Sequence, residues 1–357
     1  MGKKMGKHTL REIETQADIW SDVISTVEKG SKEIRSLFDG IEKVVFTGCG
    51  SNYYMSLGAA LYIQQITGIQ ACGVPASELL LYPDVVLGRG ERKVVVALSR
   101  SGETTEVVDA VNLARSSYGL NSLYIGCFKQ STVSNMCTLS LALPEAQEQS
   151  VVTTKSHTAM FLAVQTICGL LSRNEMFPGD TYLRELYKLP TFGRGVIGGL
   201  HERVERVPID EYCHFVFLGS GPFYGIACES MLKMKEMALM PSDAFHCLEF
   251  RHGPKSILER AVLVTLFLSD TGRDFEYDLI REVKELGGSV LTVCEKAEIS
   301  LSKSSDFVFE TGGGVNEWVR SILYLPFIQM LALHKALARN IEVDAPRNLT
   351  YYVRLKG

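Results

Sequence analysis

The residues LSRSGETTEV, at 98–107, place a run of hydroxyl side chains directly after the apolar residues 94–98. An apolar run of this kind is typical of a buried strand, so the chain should turn there and begin a helix with Ser101 or Thr104 near its N-cap. The N–H groups and partial positive charge of that helix end, with the hydroxyls of Ser99, Ser101 and Thr104, suit a phosphate group. The same residues could instead only cap the helix, and the stretch by itself leaves both interpretations open.

A glycine turn, Gly48-Cys49-Gly50-Ser51, follows the apolar residues 44–47. It does not complete the dinucleotide pattern G-x-G-x-x-G, because Tyr53 stands where the last glycine is required and no acidic residue falls where a ribose contact is expected. The phosphate-binding pattern G-x-x-x-x-G-K-[ST] does not occur in the chain. We therefore predict neither a nucleotide nor any other cofactor.

The nine cysteines are scattered without a C-x-x-C pair, and the seven histidines are equally dispersed. His246 and His252 are the closest two histidines, but their separation of six residues does not match the i, i+4 spacing of metal ligands on a helix. We predict no metal site. An odd number of unpaired thiols is typical of a reducing compartment, so we expect a cytoplasmic protein.

The composition and net charge narrow the classes of molecule that the chain is expected to bind. The chain has 357 residues, of which 46% are hydrophobic and 22% charged, and its net charge is −4. These values fit one large or two medium folded domains and give no general attraction to nucleic acid or to a membrane surface. The longest uncharged apolar stretch, at 322–333, contains Pro326 and Gln329 and is shorter than a membrane span. We expect a soluble protein with a small-molecule partner.

The strand, turn and helix around Gly48 recur around Gly219. Apolar residues at 215–218 precede Gly219-Ser220-Gly221, and the helix-forming segment FYGIACESMLKMKEMAL follows, as SNYYMSLGAALYIQQ follows the first turn. In each copy another strand ends at a serine, Ser99 or Ser269, which lies 51 or 50 residues after the glycine. A further helix and strand follow in both copies. This matched spacing predicts a tandem α/β protein with two parallel sheets.

The repeat also predicts the domain organisation: a helical segment at 1–40, a first domain at 41–172, a connection at 173–212, a second domain at 213–340 and a tail at 341–357. Ligands of open parallel sheets bind beyond the carboxyl ends of the strands, where both glycine turns and both serines lie. Asp270 follows Ser269, and its charge would repel a phosphate. We therefore expect phosphate to bind in the first domain and not in the second.

Six motifs together carry a family resemblance: GCGSN at 48–52, SRSGETTE at 99–106, SVVTTKSHT at 150–158, LKMKE at 232–236, EFRHGP at 249–254 and DAPRNLT at 344–350. With these motifs in this order, the chain resembles the double sugar-isomerase (SIS) domain family. The family includes the isomerase half of glucosamine-6-phosphate synthase, the archaeal type of glucosamine-6-phosphate deaminase, and related phosphosugar isomerases and deglycases. The chain looks most like the archaeal deaminase type.

The resemblance implies the fold and the ligand contacts. The fold would be two tandem SIS domains, each a parallel β-sheet flanked by helices in a flavodoxin-like, three-layer αβα arrangement, with the C-terminal tail closing the active site. A sugar phosphate would be held through the side chains of Ser51, Asn52, Ser99, Ser101 and Thr104 and the backbone of Arg100. The positions implied to contact the sugar are Cys49, Gly50, Val151, Thr153 and Tyr351.

The chemistry would come from the second domain. Moving a hydrogen between C1 and C2 of a sugar phosphate requires a base beside the acidic C–H, and a carboxylate in a dry pocket can serve. The resemblance implies that Glu236 transfers this proton and that Lys233, one turn earlier on the same helix, is its partner. Without the resemblance, Glu236 would be interpreted as one more surface charge.

The resemblance also implies that His252 opens the sugar ring, a task for a group that exchanges a proton near neutral pH. In the family this histidine reaches the active site from the neighbouring subunit. A homodimer with shared sites is therefore expected.

One position departs from the synthase pattern. A lysine follows the Pro-Arg-Asn-Leu-x sequence in the synthase, whereas Tyr351 stands at that position here, which puts a carried-over role for an amine in doubt. The chain begins Met1-Gly2-Lys3 without the cysteine nucleophile of a glutaminase domain, so we expect no glutaminase activity. Aldose/ketose isomerisation, isomerisation with ammonia release and cleavage of an amine-linked sugar phosphate all stay open, and we favour ammonia release.

A non-catalytic sugar-phosphate sensor is the alternative from another class. A sensor needs the phosphate loop but has no need for Glu236, Lys233 and His252 together. The segment before residue 44 is also too short and too acidic for a DNA-binding domain. We therefore favour an enzyme.

Overall fold

The computed structural model describes residues 5–88 and 90–355, and of Ser300 the backbone only. The chain forms two compact units, each assembled from separate stretches of sequence. The first-sheet unit contains Thr15–Gln149, Thr153–Pro190 and the tail residues 350–355, and the second-sheet unit contains residues 5–14, Ser150–Val152 and Thr191–Leu349. This grouping divides both the segment predicted at 1–40 and the tail predicted at 341–357.

Within the described residues, ten strands form the two sheets: β1 Lys43–Gly48, β2 Gln70–Pro75, β3 Lys93–Leu98, β4 Asn121–Gly126, β5 Leu139–Ala142, β6 His214–Gly219, β7 Ser242–Phe245, β8 Val262–Phe267, β9 Ser289–Cys294 and β10 Phe307–Glu310. All the strand pairs are parallel.

Helices surround the strands: α1 Lys7–Thr15, α2 Trp20–Lys29, α3 Ser31–Leu37, α4 Ser51–Thr67, α5 Ala76–Leu81, α6 Pro83–Leu87, α7 Thr105–Tyr118, α8 Thr132–Met136, α9 Lys155–Leu171, α10 Gly179–Leu186, α11 Leu189–Ile197, α12 Leu200–Glu205, α13 Phe223–Ala238, α14 Arg273–Glu285, α15 Ile299–Ser304, α16 Glu317–Arg320 and α17 Leu325–Ala338. Short 3₁₀ turns cover Gln16–Ile19, Pro144–Ala146, Ile209–Glu211, Glu249–Arg251, Pro254–Ile257 and Ser321–Tyr324.

The two sheets have the same topology. The first has the strand order β2-β1-β3-β4-β5, and the second, taken from its other edge, has the order β7-β6-β8-β9-β10. The central pairs have corresponding registers, such as Val45 beside Val95 in the first sheet and Phe217 beside Thr265 in the second. The predicted repeat and the predicted α/β fold with two parallel, helix-flanked sheets are confirmed.

One face of the first sheet is covered by α7. This helix turns Val107, Ala110, Val111 and Ala114, spaced at i, i+3, i+4 and i+7, towards the strands, and all four are buried. On the same unit, α9 packs against α4 with the ring of Phe161 edge-on to Tyr62 at 5.3 Å. The burial of such an apolar stripe stabilises the packing of the helix against the sheet.

The second sheet is built in the same way. Helix α14 buries Leu279, Ile280 and Val283 against strands β6, β8 and β9. Helices α13 and α17 pack together, with the rings of Phe223 and Tyr324 stacked at 5.0 Å.

Glycine is required where β1 and β6 end. A Cβ on Gly48 would lie 2.7 Å from the Cβ of Asn52, and a Cβ on Gly219 would lie 2.3 Å from the carbonyl oxygen of Phe223. Each glycine thus lets the first turn of the following helix approach its strand closely. This approach brings the residues at the starts of α4 and α13 to the carboxyl ends of their sheets.

The helical stretch Glu317–Ala338, of 22 residues, is long and apolar enough to cross a membrane by length and composition alone. However, 83% of its most apolar window is buried within the fold, and the buried residues include Pro326 and Gln329. A core helix of a globular protein meets the same criteria. The expectation that the protein has no membrane partner stays a prediction.

Candidate active site

The loop between β3 and α7 is a tight turn held by its own serines. The Ser99 hydroxyl oxygen accepts the N–H of Gly102 at 3.1 Å, and the Ser101 hydroxyl oxygen accepts the N–H of Glu103 at 3.1 Å. Ser99, Arg100 and Ser101 are all buried. Their positions are therefore fixed by the fold, as a preformed ligand loop requires.

Gly102 is needed at the apex of this loop. Its φ is +66°, and a Cβ there would lie 2.0 Å from the hydroxyl oxygen of Ser131, which begins α8. Both the backbone conformation and the close contact exclude a side chain.

The side chain of Thr104 tests the helix-capping interpretation of the loop, while phosphate binding there stays a prediction. Thr104 is the N-cap residue of α7, but its side chain makes no capping hydrogen bond. The N–H of Thr105 donates instead to the carbonyl oxygen of Val353, at 3.2 Å. Ser99 and Ser101 bond to loop N–H groups that precede the helix. Helix capping therefore does not explain the hydroxyls of this loop.

The first glycine turn and the loop at Thr153 meet in the first-sheet unit. Gly50, with φ +55°, precedes α4, and the Thr153 hydroxyl donates to the hydroxyl oxygen of Ser51 at 2.9 Å. The side-chain oxygen Oδ1 of Asn52 is buried and accepts no hydrogen bond within the described part of the chain. Burial, with the charge of Glu106 as a smaller cause, raises the pKa of the Cys49 thiol to about 12. Cys49 is therefore a neutral thiol at physiological pH.

The side chain of Arg100 turns towards the C-terminal tail. Its Nη2 donates to the carbonyl oxygen of Tyr351 at 2.9 Å, and its Nη1 lies 3.4 Å from Oε2 of Glu148. The guanidinium carbon also lies 3.8 Å from the centre of the Tyr351 ring. The family resemblance assigned only the backbone of Arg100, so these side-chain contacts are additional.

Glu148, which the sequence analysis did not single out, anchors the segment before α9. Its carboxylate accepts the N–H and the hydroxyl of Thr154, each at 2.8 Å, and the hydroxyl of Ser156. Its backbone carbonyl accepts the Tyr351 hydroxyl at 3.3 Å. Glu148 thus connects Arg100, the start of α9 and the tail within one unit.

In the second-sheet unit, α13 carries a buried ion cluster. The Nζ of Lys233 lies 2.6 Å from Oε2 of Glu236 and 3.3 Å from Oε1 of Glu229. The side chains of Lys233 and Glu229 are 1% and 0% exposed, whereas that of Glu236 is 22% exposed. Burial alone would lower the pKa of Lys233, but the two carboxylates raise it above its ordinary value. Lys233 is therefore a fixed cation that orients a carboxylate with access to solvent.

His252 and Val151 lie outside these clusters. His252 is exposed at the end of the 3₁₀ turn Glu249–Arg251, where its N–H donates to the carbonyl of Glu249 at 3.0 Å. The N–H of Val151 donates to the carbonyl of Asp344 at 2.9 Å within the second-sheet unit.

The loop after β8, equivalent to the phosphate loop by topology, is filled by the chain's own carboxylates. Glu276 accepts the N–H of Ser269 at 2.7 Å and its hydroxyl at 3.0 Å. Glu317 accepts the N–H of Asp270 at 2.6 Å and the hydroxyl of Thr271 at 2.8 Å. Negatively charged side chains therefore already occupy this loop, whereas the N–H groups of Gly102, Glu103 and Thr105 in the first loop are held by neutral hydroxyl and carbonyl oxygens.

Asp270 itself pairs with a buried arginine. Arg320 donates to its two carboxylate oxygens at 2.7 and 2.6 Å. Burial would raise the pKa of Asp270, but the hydrogen bonds and charge of Arg320, with those of Arg273, bring it below its ordinary value. The predicted negative charge in this loop is thus held in place.

In the described ranges 5–88 and 90–355, no group of three or more His, Cys, Asp or Glu residues could hold a metal ion.

The model of the SIS domain matches residues 38–168 and 210–337 of this chain. The chain belongs to the SIS-domain family. The two SIS domains correspond to the two sheets, and the resemblance carried by the sequence motifs is confirmed.

Relatives of this SIS-domain protein include sugar-phosphate enzymes. The glutamine–fructose-6-phosphate aminotransferase of Francisella tularensis is 24% identical over 367 residues, which cover 98% of this chain and 59% of the relative. The chain thus spans about three fifths of that relative's length. The structure of glucosamine-6-phosphate deaminase from Thermotoga maritima is 26% identical, with a TM-score of 0.74, over 93% of this chain and 99% of that one. Tagatose-6-phosphate ketose/aldose isomerase from Escherichia coli shares the fold, with a TM-score of 0.85 at 21% identity over 99% and 97% of the two chains.

Proposed function

We propose that this protein is a phosphosugar aldose/ketose isomerase acting on an amino sugar phosphate, and that it converts glucosamine-6-phosphate to fructose-6-phosphate with release of ammonia. The observation that carries this proposal is the Lys233–Glu236 pair, a carboxylate with solvent access held at 2.6 Å by a buried cation. A sensor has no need for such a pair. Similarity to the aminotransferase and the deaminase supports the substrate class.

The phosphate group would bind at the loop 99–104. Its backbone is held by two serine hydroxyls, and the Thr104 hydroxyl does not cap α7. The start of α7, a helix of 14 residues, offers the partial positive charge that favours a phosphate. The buried, unpaired Oδ1 of Asn52 supports a ligand that donates a hydrogen bond, such as a sugar hydroxyl.

Glu236 would act as the base. In the open-chain sugar, the carboxylate removes the proton from C2 and returns a proton to C1, while the C1 oxygen gains a proton and the amine nitrogen loses one. The C1 aldehyde and C2 amine thereby become a C1 alcohol and a C2 imine. Water then hydrolyses the imine to the ketone and ammonia. Lys233 keeps the carboxylate in place and balances its charge. A positioned base of this kind contributes about 10²- to 10⁴-fold to the rate.

His252 would open the sugar ring in a partner subunit. Its exposed position supports this role, because a histidine that serves a neighbouring chain must lie at the surface. We therefore propose a homodimer. We also propose a cytoplasmic location, since none of the nine cysteines, all within the described residues, forms a disulfide.

Turnover of a small set of sugar phosphates tests the proposal. Purified protein is incubated with glucosamine-6-phosphate, galactosamine-6-phosphate, fructose-6-phosphate and tagatose-6-phosphate, and ammonia and ketose are followed by NMR. We expect ammonia and fructose-6-phosphate from the first substrate. Interconversion without ammonia would establish an isomerase of the plain type. A rise in melting temperature with no turnover of any substrate would establish a sensor.

A further inference from the structure

Arg100 lies in the middle of the hydroxyl loop, yet its side chain contacts the tail. The guanidinium donates to the carbonyl oxygen of Tyr351 at 2.9 Å, lies 3.8 Å from the ring centre of the same residue, and pairs with Glu148 at 3.4 Å. Both members of the ion pair are buried, with side-chain exposures of 5% and 0%. The guanidinium of Arg100 therefore contacts the tail in two ways: its N–H group donates a hydrogen bond, and its planar face stacks on the Tyr351 ring.

This combination needs a guanidinium. Its planar fork donates along two directions while its face rests on an aromatic ring, whereas an ammonium is a point charge without a face. The carboxylate of Glu148 keeps the guanidinium in this orientation, and Thr154 keeps the carboxylate in place with two hydrogen bonds of 2.8 Å.

Further contacts join the same two segments. The N–H of Thr105, the first residue of α7, donates to the carbonyl of Val353 at 3.2 Å. The Thr105 hydroxyl oxygen accepts the N–H of Leu355 at 3.1 Å. The tail therefore contacts both the loop and the helix end that follows it, all within the first-sheet unit.

We propose that Arg100 is a positioning residue, and that Arg100, Tyr351 and Glu148 form a latch that couples docking of the tail residues 350–355 to the phosphate-binding shape of the loop 99–104. This inference deepens the proposed function and rests on it. Tyr351 provides the aromatic ring on which the Arg100 guanidinium stacks. Position 351 therefore has a role that does not need the lysine amine of the synthase pattern. Because coupling is reciprocal, phosphate in the loop stabilises the docked tail by the same factor by which the docked tail tightens phosphate binding.

Inorganic phosphate is the probe, since it engages the loop without any turnover. Its Kd is measured by calorimetry for wild-type protein, Tyr351→Ala and Tyr351→Phe, and hydrogen exchange of the amides at 350–355 is followed with and without phosphate. Tyr351→Ala removes the stacked ring and should weaken phosphate binding about 5-fold or more. Tyr351→Phe keeps the ring and the backbone carbonyl and loses the 3.3 Å hydrogen bond from the hydroxyl to the Glu148 carbonyl, so it should weaken phosphate binding much less than Tyr351→Ala does. Phosphate should slow exchange in the tail of the wild type and of Tyr351→Phe only.

Arg203→Gln is a matched control. Arg203 lies 3.9 Å from the ring centre of Phe309 and donates to the carbonyl of Glu310, so it repeats the contacts of Arg100 in the second-sheet unit. This variant should leave the Kd of phosphate and the exchange of the tail unchanged. Arg100→Lys, which keeps the charge beside Glu148, should weaken phosphate binding as Tyr351→Ala does.

The results of these measurements distinguish failure of the latch proposal from failure of the proposed function. Wild-type phosphate binding together with an unchanged Kd in Tyr351→Ala would overturn the latch and leave the phosphate loop standing. An equal loss of affinity in Tyr351→Phe would also overturn it, because the Tyr351 hydroxyl and not the stacked ring would then carry the coupling. Absence of phosphate binding to the wild-type protein would overturn the latch, and the turnover experiment would still decide the proposed function.

Discussion

Lys233 holds Glu236 across one turn of α13, with 2.6 Å between Nζ and Oε2, while the fully buried Glu229 lies 3.3 Å from the same nitrogen. Two carboxylates thus share one cation, and one of the two, Glu236, has access to solvent. This arrangement separates a structural carboxylate from one that can exchange a proton with a ligand.

Replacement of the base should separate binding from chemistry. Glu236→Gln keeps the size of the side chain but cannot take a proton, so exchange of the C2 hydrogen with solvent should fall by about 10²-fold or more. Binding of the sugar phosphate should change little. NMR in D₂O measures both quantities, and exchange at the wild-type rate would show that another group is the base.

Replacement of Lys233 should destabilise the fold. Lys233→Met leaves Glu229 buried without its cation, which costs about 3–5 kcal/mol of unfolding free energy in urea titrations. Arg281→Met is the matched control, because Arg281 forms an i,i+3 pair with Asp278 at the surface, where the side chains are 62% and 55% exposed. The Arg281→Met variant should lose less than about 1 kcal/mol of unfolding free energy. Equal losses in the two variants would contradict the buried character of the Lys233 cluster.

A complementation experiment tests whether His252 acts across subunits. Glu236→Gln and His252→Ala should each be inactive alone. In a mixed dimer one of the two shared sites receives both wild-type residues, so random mixing should restore about one quarter of wild-type activity. No recovery after subunit exchange, verified by mass spectrometry, would place His252 and Glu236 in the same chain's site.

The loop apex offers a paired glycine experiment. Gly102→Ala and Gly119→Ala impose a side chain at φ values of +66° and +63°, at a cost of about 1–2 kcal/mol each. At Gly119 the added Cβ meets nothing within 4 Å, whereas at Gly102 it meets Ser131. Only Gly102→Ala should also abolish phosphate binding, as measured by calorimetry. Similar phosphate affinities in the two variants would show that the loop tolerates distortion.

Acid should weaken the fold through two histidines. Burial lowers the pKa of His246 below 6.5, and burial with the nearby His201 lowers that of His334. The unfolded chain therefore binds more protons than the folded one, and unfolding free energy falls as the pH drops through 6.5. His246→Gln and His334→Gln should each reduce this loss between pH 7.5 and 5.5 in urea titrations. An unchanged slope in both variants would contradict the lowered values.

The central strands were predictable because they are buried apolar runs. β1, β3, β6 and β8 lie at the apolar runs and serine ends that mark them in the sequence, and β4 and β9 are the further strand expected in each copy. The edge strands β2, β5, β7 and β10 escaped prediction, since all four are partly exposed and the last three have only four residues each; β7 has the sequence SDAF, which includes two polar residues. Such segments become strands only through pairing with a neighbour.

The candidate site was predictable where residues lie in one local motif. The Glu229 contact could have been found from its i,i+4 spacing to Lys233. Glu148 gave no such indication, because its partners Arg100 and Tyr351 lie 48 and 203 residues away. The side-chain direction of Arg100 depends on those long-range contacts, so its role in holding the tail could not be predicted.

Glu276 and Glu317 give the loop after β8 a permanent internal occupant. These carboxylates hold the loop in shape without any solute, so under the proposed function phosphate binds only at the loop 99–104. Each chain is therefore expected to take up a single phosphate group, and no cooperativity can arise between the two halves of one chain. Under the proposed function, we expect any sigmoidal dependence of rate on substrate concentration to come from communication between the subunits of the proposed homodimer.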